Sequence, residues 1–180
     1  EQGTYFASGA TLPVSARKEA LKKLQQAILR NRSNIESALQ LDLNKSKEEA
    51  YMTEIGMTLS AIRYQLNHLK KHCKPRRVCT QLTSFPSAGY IIPEPYGRVL
   101  IMSPWNYPFL LCIDPLVSAI AAGNCAMIKP ANTSKHTAMV IAQIIEEAFE
   151  RKHVACIEGG SENCNCLLSL RFDYIFYTGS

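Results

Sequence analysis

The segment Arg98–Lys129 reads RVLIMSPWNYPFLLCIDPLVSAIAAGNCAMIK, and its succession of strand, helix and strand decides the fold. Arg98 to Met102 is a continuous apolar run, the pattern of a strand buried on both faces of a parallel sheet. A helix is predicted from about Phe109 to Ala122, closed by Gly123-Asn124, and Cys125 to Lys129 is the next apolar strand. The alternation continues downstream. Ser134 is placed to cap a helix through Val140, Ile141, Ile144, Ile145 and Ala148; Val154 to Ile157 reads as a third strand, Ser161 to Leu170 as a shorter helix, and Tyr174 to Tyr177 as a fourth strand. Strands and helices in turn imply βαβ units, hence a parallel sheet with helices on both faces.

Upstream, the chain changes character twice. Residues 1–77 read as a helical segment: Ser15 opens a helix carrying Leu21, Leu24 and Ile28 on one face, and Ser33-Asn34-Ile35-Glu36 has the form of a capping box for a second. Ser46-Lys47-Glu48-Glu49 is another capping box, opening a long helix whose stripe is Ile55, Leu59, Ile62, Leu66 and Leu69 and which Pro75 stops. Residues 78–96 hold two predicted strands, Val78 to Thr83 and Gly89 to Ile92, around Phe85-Pro86-Ser87-Ala88. Residues 97–180 form the alternating part.

Bulk properties exclude several function classes. The 180 residues are 47% hydrophobic, enough for a real core, and the net charge of +5 is mild. The basic run Lys70, Lys71, Lys74, Arg76 and Arg77 has no aromatic residues interleaved, so it reads as a solvated helix end and no nucleic-acid partner is expected. Seven cysteines is an odd number without a secretory leader, and Cys112 and Cys125 sit in apolar company; reduced thiols in a cytoplasmic protein are expected. Cys164 and Cys166 lack a second pair at metal-site spacing, so no metal is expected. Between Val99 and Ile128 the only charged residue is Asp114, but Pro104, Pro108, Asp114-Pro115 and Gly123-Asn124 cut the stretch too short for a membrane span. The chain starts at Glu1 rather than Met, so its natural start is expected upstream.

An open parallel sheet binds ligands beyond the carboxyl ends of its strands. Three features fall there: Ser103-Pro104-Trp105-Asn106-Tyr107-Pro108, then Lys129-Pro130-Ala131-Asn132, then Thr178-Gly179-Ser180. Asn106, held between two prolines, is either an amide donor for a developing oxyanion or a turn residue satisfying its own backbone. Lys129 ends a buried strand; it either reaches nucleotide oxygens or snorkels to solvent. Neither G-x-G-x-x-G nor G-x-x-x-x-G-K-[ST] occurs, so the common dinucleotide and P-loop fingerprints do not apply.

Taken together, these stretches resemble one family. Pro95-Tyr96-Gly97-Arg98-Val99 leading to Pro104-Trp105-Asn106-Tyr107-Pro108 resembles the P-x-G-V and P-W-N-[FY]-P segment of aldehyde dehydrogenases. Ala121-Ala122-Gly123-Asn124 followed by Ile128-Lys129-Pro130 is similar to the family's A-A-G-N and K-P run, and Tyr177-Thr178-Gly179-Ser180 to its [FY]-T-G-S. Phe6-Ala7-Ser8-Gly9-Ala10-Thr11 and Tyr107 look most like the class 3, fatty-aldehyde branch.

The resemblance implies an α/β protein: N-terminal helices, part of an oligomerisation β-hairpin, then an incomplete Rossmann-like sheet, with the catalytic domain outside this chain. It implies oxidation of an aldehyde substrate with NAD or NADP, and a homodimer built partly through residues 78–92. Asn106 would stabilise the oxyanion; Met102, Ser103, Pro104 and Trp105 would line the cofactor cleft; Lys129 would contact the adenosine ribose; Gly179 and Ser180 would begin the turn beside the pyrophosphate. The family often carries Glu where Asn132 stands, and a neutral amide there, with Lys129 and Lys135 nearby, would admit NADP as well as NAD. In the family a cysteine thiolate attacks the aldehyde, the thiohemiacetal yields hydride, and a glutamate helps water release the acid. Both residues are expected beyond Ser180, since none of the seven cysteines stands in a G-Q-x-C setting. Two readings follow: a piece of an active enzyme, or a non-catalytic remnant that binds nucleotide or pairs with a full-length subunit.

Overall fold

In the computed structural model, which describes residues 1–179, the chain opens with a short helix α1 (Gln2–Ala7) and then α2 (Val14–Arg30). Leu21, Leu24 and Ile28 are fully buried on one face of α2, as their spacing predicts, each contributing about 1.5–3 kcal/mol. Ser15 does not cap this helix: the N-cap is Pro13, in an extended conformation that sets the entry direction without a side-chain acceptor. The expected capping box at Ser33 does not form either, because α3 (Arg32–Leu43) starts directly after Asn31 and puts Ser33 inside its first turn. Asn31 instead donates to Ala27 O at 3.0 Å and Glu147 Oε2 at 2.8 Å, while Glu36 accepts from Arg32 Nε at 2.7 Å.

Ser46 does cap as expected, its hydroxyl accepting from Glu49 N at 3.1 Å at the start of α4 (Lys47–Ala50). The long helix predicted to follow is broken by a π-helical turn, Tyr51–Ile55, before α5 (Gly56–His72). Gly56 closes that turn by donating its N–H to Tyr51 O, so close that a Cβ at Gly56 would lie 2.8 Å from the same oxygen. From the end of the π turn onward, Ile55, Leu59, Ile62 and Leu69 are buried as the stripe requires, and Leu66 is partly buried. The basic run forms the exposed end of α5, where cations suit the helix dipole, and the residues just after it.

The hairpin is shorter than expected. Its strands are β1 (Arg76–Val78) and β2 (Gly89–Ile91), antiparallel, with Arg76 opposite Ile91 and Val78 opposite Gly89. Of the first predicted strand only Val78 pairs; Cys79 to Thr83 belong to the connection, where Leu82–Ser84 makes a 3-10 turn. Two three-residue strands with no apolar layer behind them leave Leu82, Phe85, Tyr90 and Ile92 largely exposed.

The alternating half gives β3 (Arg98–Met102), α6 (Leu110–Ala122), β4 (Cys125–Lys129), α7 (Lys135–Ala148), β5 (Val154–Cys156), α8 (Ser161–Ser169) and β6 (Tyr174–Tyr177). The four strands pair in the order β5-β4-β3-β6, all parallel. Steps from β3 to β4 and β4 to β5 run one way across the sheet, and the step to β6 runs back past β3; right-handed crossovers therefore put α6 and α7 on one face and α8 on the other. Behind α6 and α7 lie α2, α3 and α5, so the N-terminal helices and the sheet share one core. Sandwiched between layers, α6 is apolar nearly all round, with Cys112, Ile113, Leu116, Val117 and Ile120 buried. Asp114-Pro115, expected to interrupt this stretch, lies within α6. No helix among the described residues is long and apolar enough to cross a membrane.

The start of α7 is held from a distance. Ser134 is its N-cap, but the side chain makes no capping bond. The Asp42 side chain, 5% exposed and carried by α3, accepts from Thr137 N and Thr137 Oγ1 at 2.7 Å, from His136 Nδ1 at 2.8 Å and from His136 N at 3.3 Å. Burial by itself would raise the Asp42 carboxyl, but the bonds from Thr137 and His136 outweigh it and hold it below the ordinary carboxylate value. A carboxyl depressed on folding contributes stability above its unfolded pKa, and that stability is lost as pH falls through the folded value. Asp42→Ala is therefore expected to cost about 1–2 kcal/mol near neutral pH. In urea titrations the gap to the parent should shrink below about pH 4; a gap that stays constant with pH would contradict the assignment.

Candidate functional site

The strand register sets which residues can meet. Met102 at the end of β3 lies opposite Lys129 of β4 on one side and Tyr177 of β6 on the other. The ladder runs on into the loops: Ser103 N donates to Lys129 O at 3.2 Å, and Thr178 N donates to Met102 O at 3.0 Å. The three loop tips singled out in the sequence therefore leave the sheet side by side on one rim. Successive strands step one way from β3 and the last lies on its other flank, so the gap between β3 and β6 is the switch point where such sheets open a crevice. A cleft of about 430 Å³ lies there, between Ser103–Asn106 with Leu111 on one side and Tyr177–Gly179 on the other.

Ser103, Pro104, Trp105, Asn106 and Gly179 are thus brought together. Met102 is half-buried at the strand end and does not line the cleft. Lys129 and Asn132 occupy the same rim but lie outside this cleft, on the β4 and β5 side, and Ser180 lies outside the described residues. Lys129 does not snorkel. It is 4% exposed and its Nζ donates to Pro130 O at 2.8 Å, which leaves further N–H capacity on a buried ammonium. Asn132 is exposed, its amide beside Gly160 in the loop after β5.

Two polar groups at the cleft wall, one exposed and one turned inward, lack partners among the described residues. Asn106 is exposed, and its side-chain amide makes no hydrogen bond among the described residues, so it is not a turn residue satisfying its own backbone. Ser103 is 8% exposed, and its hydroxyl lies beside the Cys112 thiol without meeting hydrogen-bond geometry. A buried hydroxyl left unpaired costs about 1–3 kcal/mol unless a ligand or water satisfies it. Gly179 has φ 151° with its Cα so near the Tyr177 ring that a Cβ would sit 2.9 Å from the phenol oxygen. The turn after β6 needs glycine.

The buried cysteines of the sheet half are poor nucleophiles. Burial pushes the Cys112 thiol up to about 12, against the opposing pull of Ser103 and Lys129, and pushes Cys125 up to about 11. Cys156 is raised by burial as well. A thiol held protonated does not attack a carbonyl at neutral pH. No cluster of three or more metal-ligating groups occurs among the described residues.

Several contacts that shape the cleft carried no readable motif. Ser134 Oγ donates to Trp105 O at 3.1 Å and ties the loop after β4 to the loop after β3. Glu54, in the π turn, accepts from Phe109 N at 2.8 Å and Leu110 N at 3.1 Å, where α6 begins. Lys45 pairs with Glu54 at 2.6 Å and stands 4.2 Å from the centre of the Tyr107 ring. A charged residue next to an apolar stripe was the one available sign, and it does not name a partner.

A doubly wound α/β sheet with a polar cleft at its switch point defines a broad class of protein. Within that class, the chain belongs to the aldehyde dehydrogenase family, whose profile matches residues 4–180. The 4,4'-diaponeurosporen-aldehyde dehydrogenase of Staphylococcus aureus is 48% identical over 176 residues, covering 98% of this chain and 38% of that protein. Aldehyde dehydrogenase family 3 member B1 of Bos taurus is 39% identical over 175 residues, covering 97% of this chain and 37% of that protein. The substrate-bound state of Staphylococcus aureus AldH superposes with a TM-score of 0.98 at 47% identity, over 99% of this chain and 39% of that one. The chain thus spans less than two-fifths of the length of these relatives.

Proposed function

We propose that this chain forms the cofactor-binding and oxyanion-stabilising part of an enzyme that oxidises an aldehyde to a carboxylic acid with NAD or NADP. The observation that carries the reading is the unbonded Asn106 amide, exposed on the cleft at the β3–β6 switch point together with the Gly179 turn. That amide fits a polar ligand that supplies an acceptor oxygen. A bound dinucleotide would supply the hydride acceptor for the substrate carbon. Ser103, Pro104 and Trp105 form the wall it would lie against, with Met102 half-buried at the strand end, and Gly179 begins the turn proposed beside its pyrophosphate; Ser180 lies outside the described residues. Lys129 keeps a spare N–H for a ribose hydroxyl, shielded from water by burial. Asn106 donates its amide hydrogen to the aldehyde oxygen as negative charge develops there, an interaction stronger in the transition state than in the ground state. The nucleophile and the base are assigned to residues beyond Ser180, which accords with the burial-raised thiols of Cys112, Cys125 and Cys156.

The division into a helical segment (1–77), a hairpin region (78–96) and a partial cofactor-binding domain (97–180) belongs to the same proposal. So does a cytoplasmic, reducing setting, with which seven unpaired thiols agree. The substrate class leans toward medium- and long-chain or aromatic aldehydes.

In the intact protein, Asn106→Ala should lower kcat about 10²- to 10³-fold, while calorimetric affinity for NAD+ stays within a few-fold. A parent-like kcat would end this reading. Asn132→Glu tests cofactor choice: a carboxylate facing a 2′-phosphate should weaken NADP+ binding by roughly tenfold or more and leave NAD+ nearly unchanged. Equal rejection of NADP+ by the parent would show that Asn132 does not admit it. The hairpin is proposed to help form a homodimer, so Leu82→Glu with Phe85→Glu should move the light-scattering mass toward the monomer; an unchanged mass would free the hairpin from that role.

A further inference from the structure

We infer that the buried Lys45–Glu54 ion pair is a positioning device for the Trp105–Pro108 loop and sets where the Asn106 amide stands; the inference rests on the oxyanion role proposed for Asn106. Glu54 is fully buried and Lys45 is 7% exposed, with Nζ to Oε1 at 2.6 Å. Such a pair is costly to desolvate, and a hydrophobic pair of similar volume is often as stable or more so. Its placement suggests what it does instead. Glu54 Oε2 takes the N–H groups of Phe109 and Leu110 at 2.8 and 3.1 Å, fixing the first turn of α6 three residues after Asn106. The Lys45 ammonium stands 4.2 Å from the Tyr107 ring centre, in range of a cation–π contact with the residue next to Asn106.

The loop is therefore gripped on both flanks. After Asn106, Tyr107 is held by Lys45 through its ring and by Leu111 N, which donates to its carbonyl at 3.0 Å. Before Asn106, the Trp105 carbonyl accepts from Ser134 Oγ at 3.1 Å. The amide between them is free to bond a ligand while its backbone is not free to move. The π turn contributes directly: it carries Glu54, and the extra residue it takes up reorients that residue relative to the stripe continued by α5. A displacement of about 1 Å at a catalytic group is enough for a 10²-fold loss, so a clamp of this kind is felt in turnover.

The test compares the parent with Glu54→Gln, Lys45→Met/Glu54→Gln, Tyr107→Leu, Asn106→Ala and Glu54→Gln/Asn106→Ala, all in the intact protein. Thermal melting, NAD+ affinity by calorimetry, and kcat and KM for one aldehyde are measured for each. Glu54→Gln should lower kcat 10- to 100-fold and Tyr107→Leu 3- to 10-fold, with NAD+ affinity and KM within twofold of the parent. Lys45→Met/Glu54→Gln leaves no bare charge; it should melt closer to the parent than Glu54→Gln yet remain as low in kcat. In the Asn106→Ala background, Glu54→Gln should add less than a twofold further loss, because the pair acts through that amide. A purely structural pair would move melting temperatures and give additive losses. Parent-like kcat in the folded double charge variant or in Tyr107→Leu, or full additivity with Asn106→Ala, would overturn the inference; these two variants decide the matter if Glu54→Gln fails to fold. Parent-like kcat in Asn106→Ala overturns the oxyanion reading itself, a separate outcome.

Discussion

The backbone ladder on both sides of β3 is the constraint from which the rest follows. Because Met102 is level with both Lys129 and Tyr177, the loops after three strands start from one line, and the cleft lies where two of them diverge. The register is held by the core. Val99, Leu100 and Ile101 are nearly or fully buried, and a one-residue slip would exchange the two faces of the strand. The ladder then extends past the strands through Ser103 N and Thr178 N, so the first residue of each loop is as fixed as the sheet.

A second layer of control comes from the N-terminal helices. The helices that follow β3 and β4 both begin near the rim, and a helix start with free amides is a natural anion site. Neither is free here. Glu54 occupies the amides of Phe109 and Leu110, and Asp42 those of His136 and Thr137. Each carboxylate arrives from far away in the chain and complements the positive end of a helix dipole. The starts of α6 and α7 are consequently closed to phosphate, and any pyrophosphate on this rim must find its donors elsewhere. That accords with a binding turn at Gly179. The Glu54 bonds fasten the helical layer to the end of the loop that carries Asn106, so the N-terminal segment supports the cleft without lining it.

Much of this was legible beforehand, for a definite reason. Runs such as Arg98–Met102 and Cys125–Lys129 are apolar at every position, and only a strand covered on both sides tolerates that. Ser46 could be read as a cap because its acceptor and the amide it serves are three residues apart. Ser33 shows the limit of such a reading: the same local pattern lies inside α3, since Asn31 finds better partners at Ala27 and Glu147. The hairpin was drawn too long because β-propensity at 79–83 has no neighbouring strand to satisfy it.

What the sequence alone determined is everything that short-range chemistry controls: the alternation of strands and helices, the apolar stripes, the glycine after β6 and the polar residues at the strand tips. What only the tertiary structure decided is which of those residues share a space and which distant charges hold them. The union of Ser103, Asn106 and Gly179 in one cleft, with Lys129 and Asn132 beside it, depends on strand order. The capping of α6 by Glu54 and of α7 by Asp42 depends on how one helical layer lies over another. Contacts between residues 55 or 95 positions apart leave no periodic trace in a chain, because their geometry exists only once the intervening core has packed.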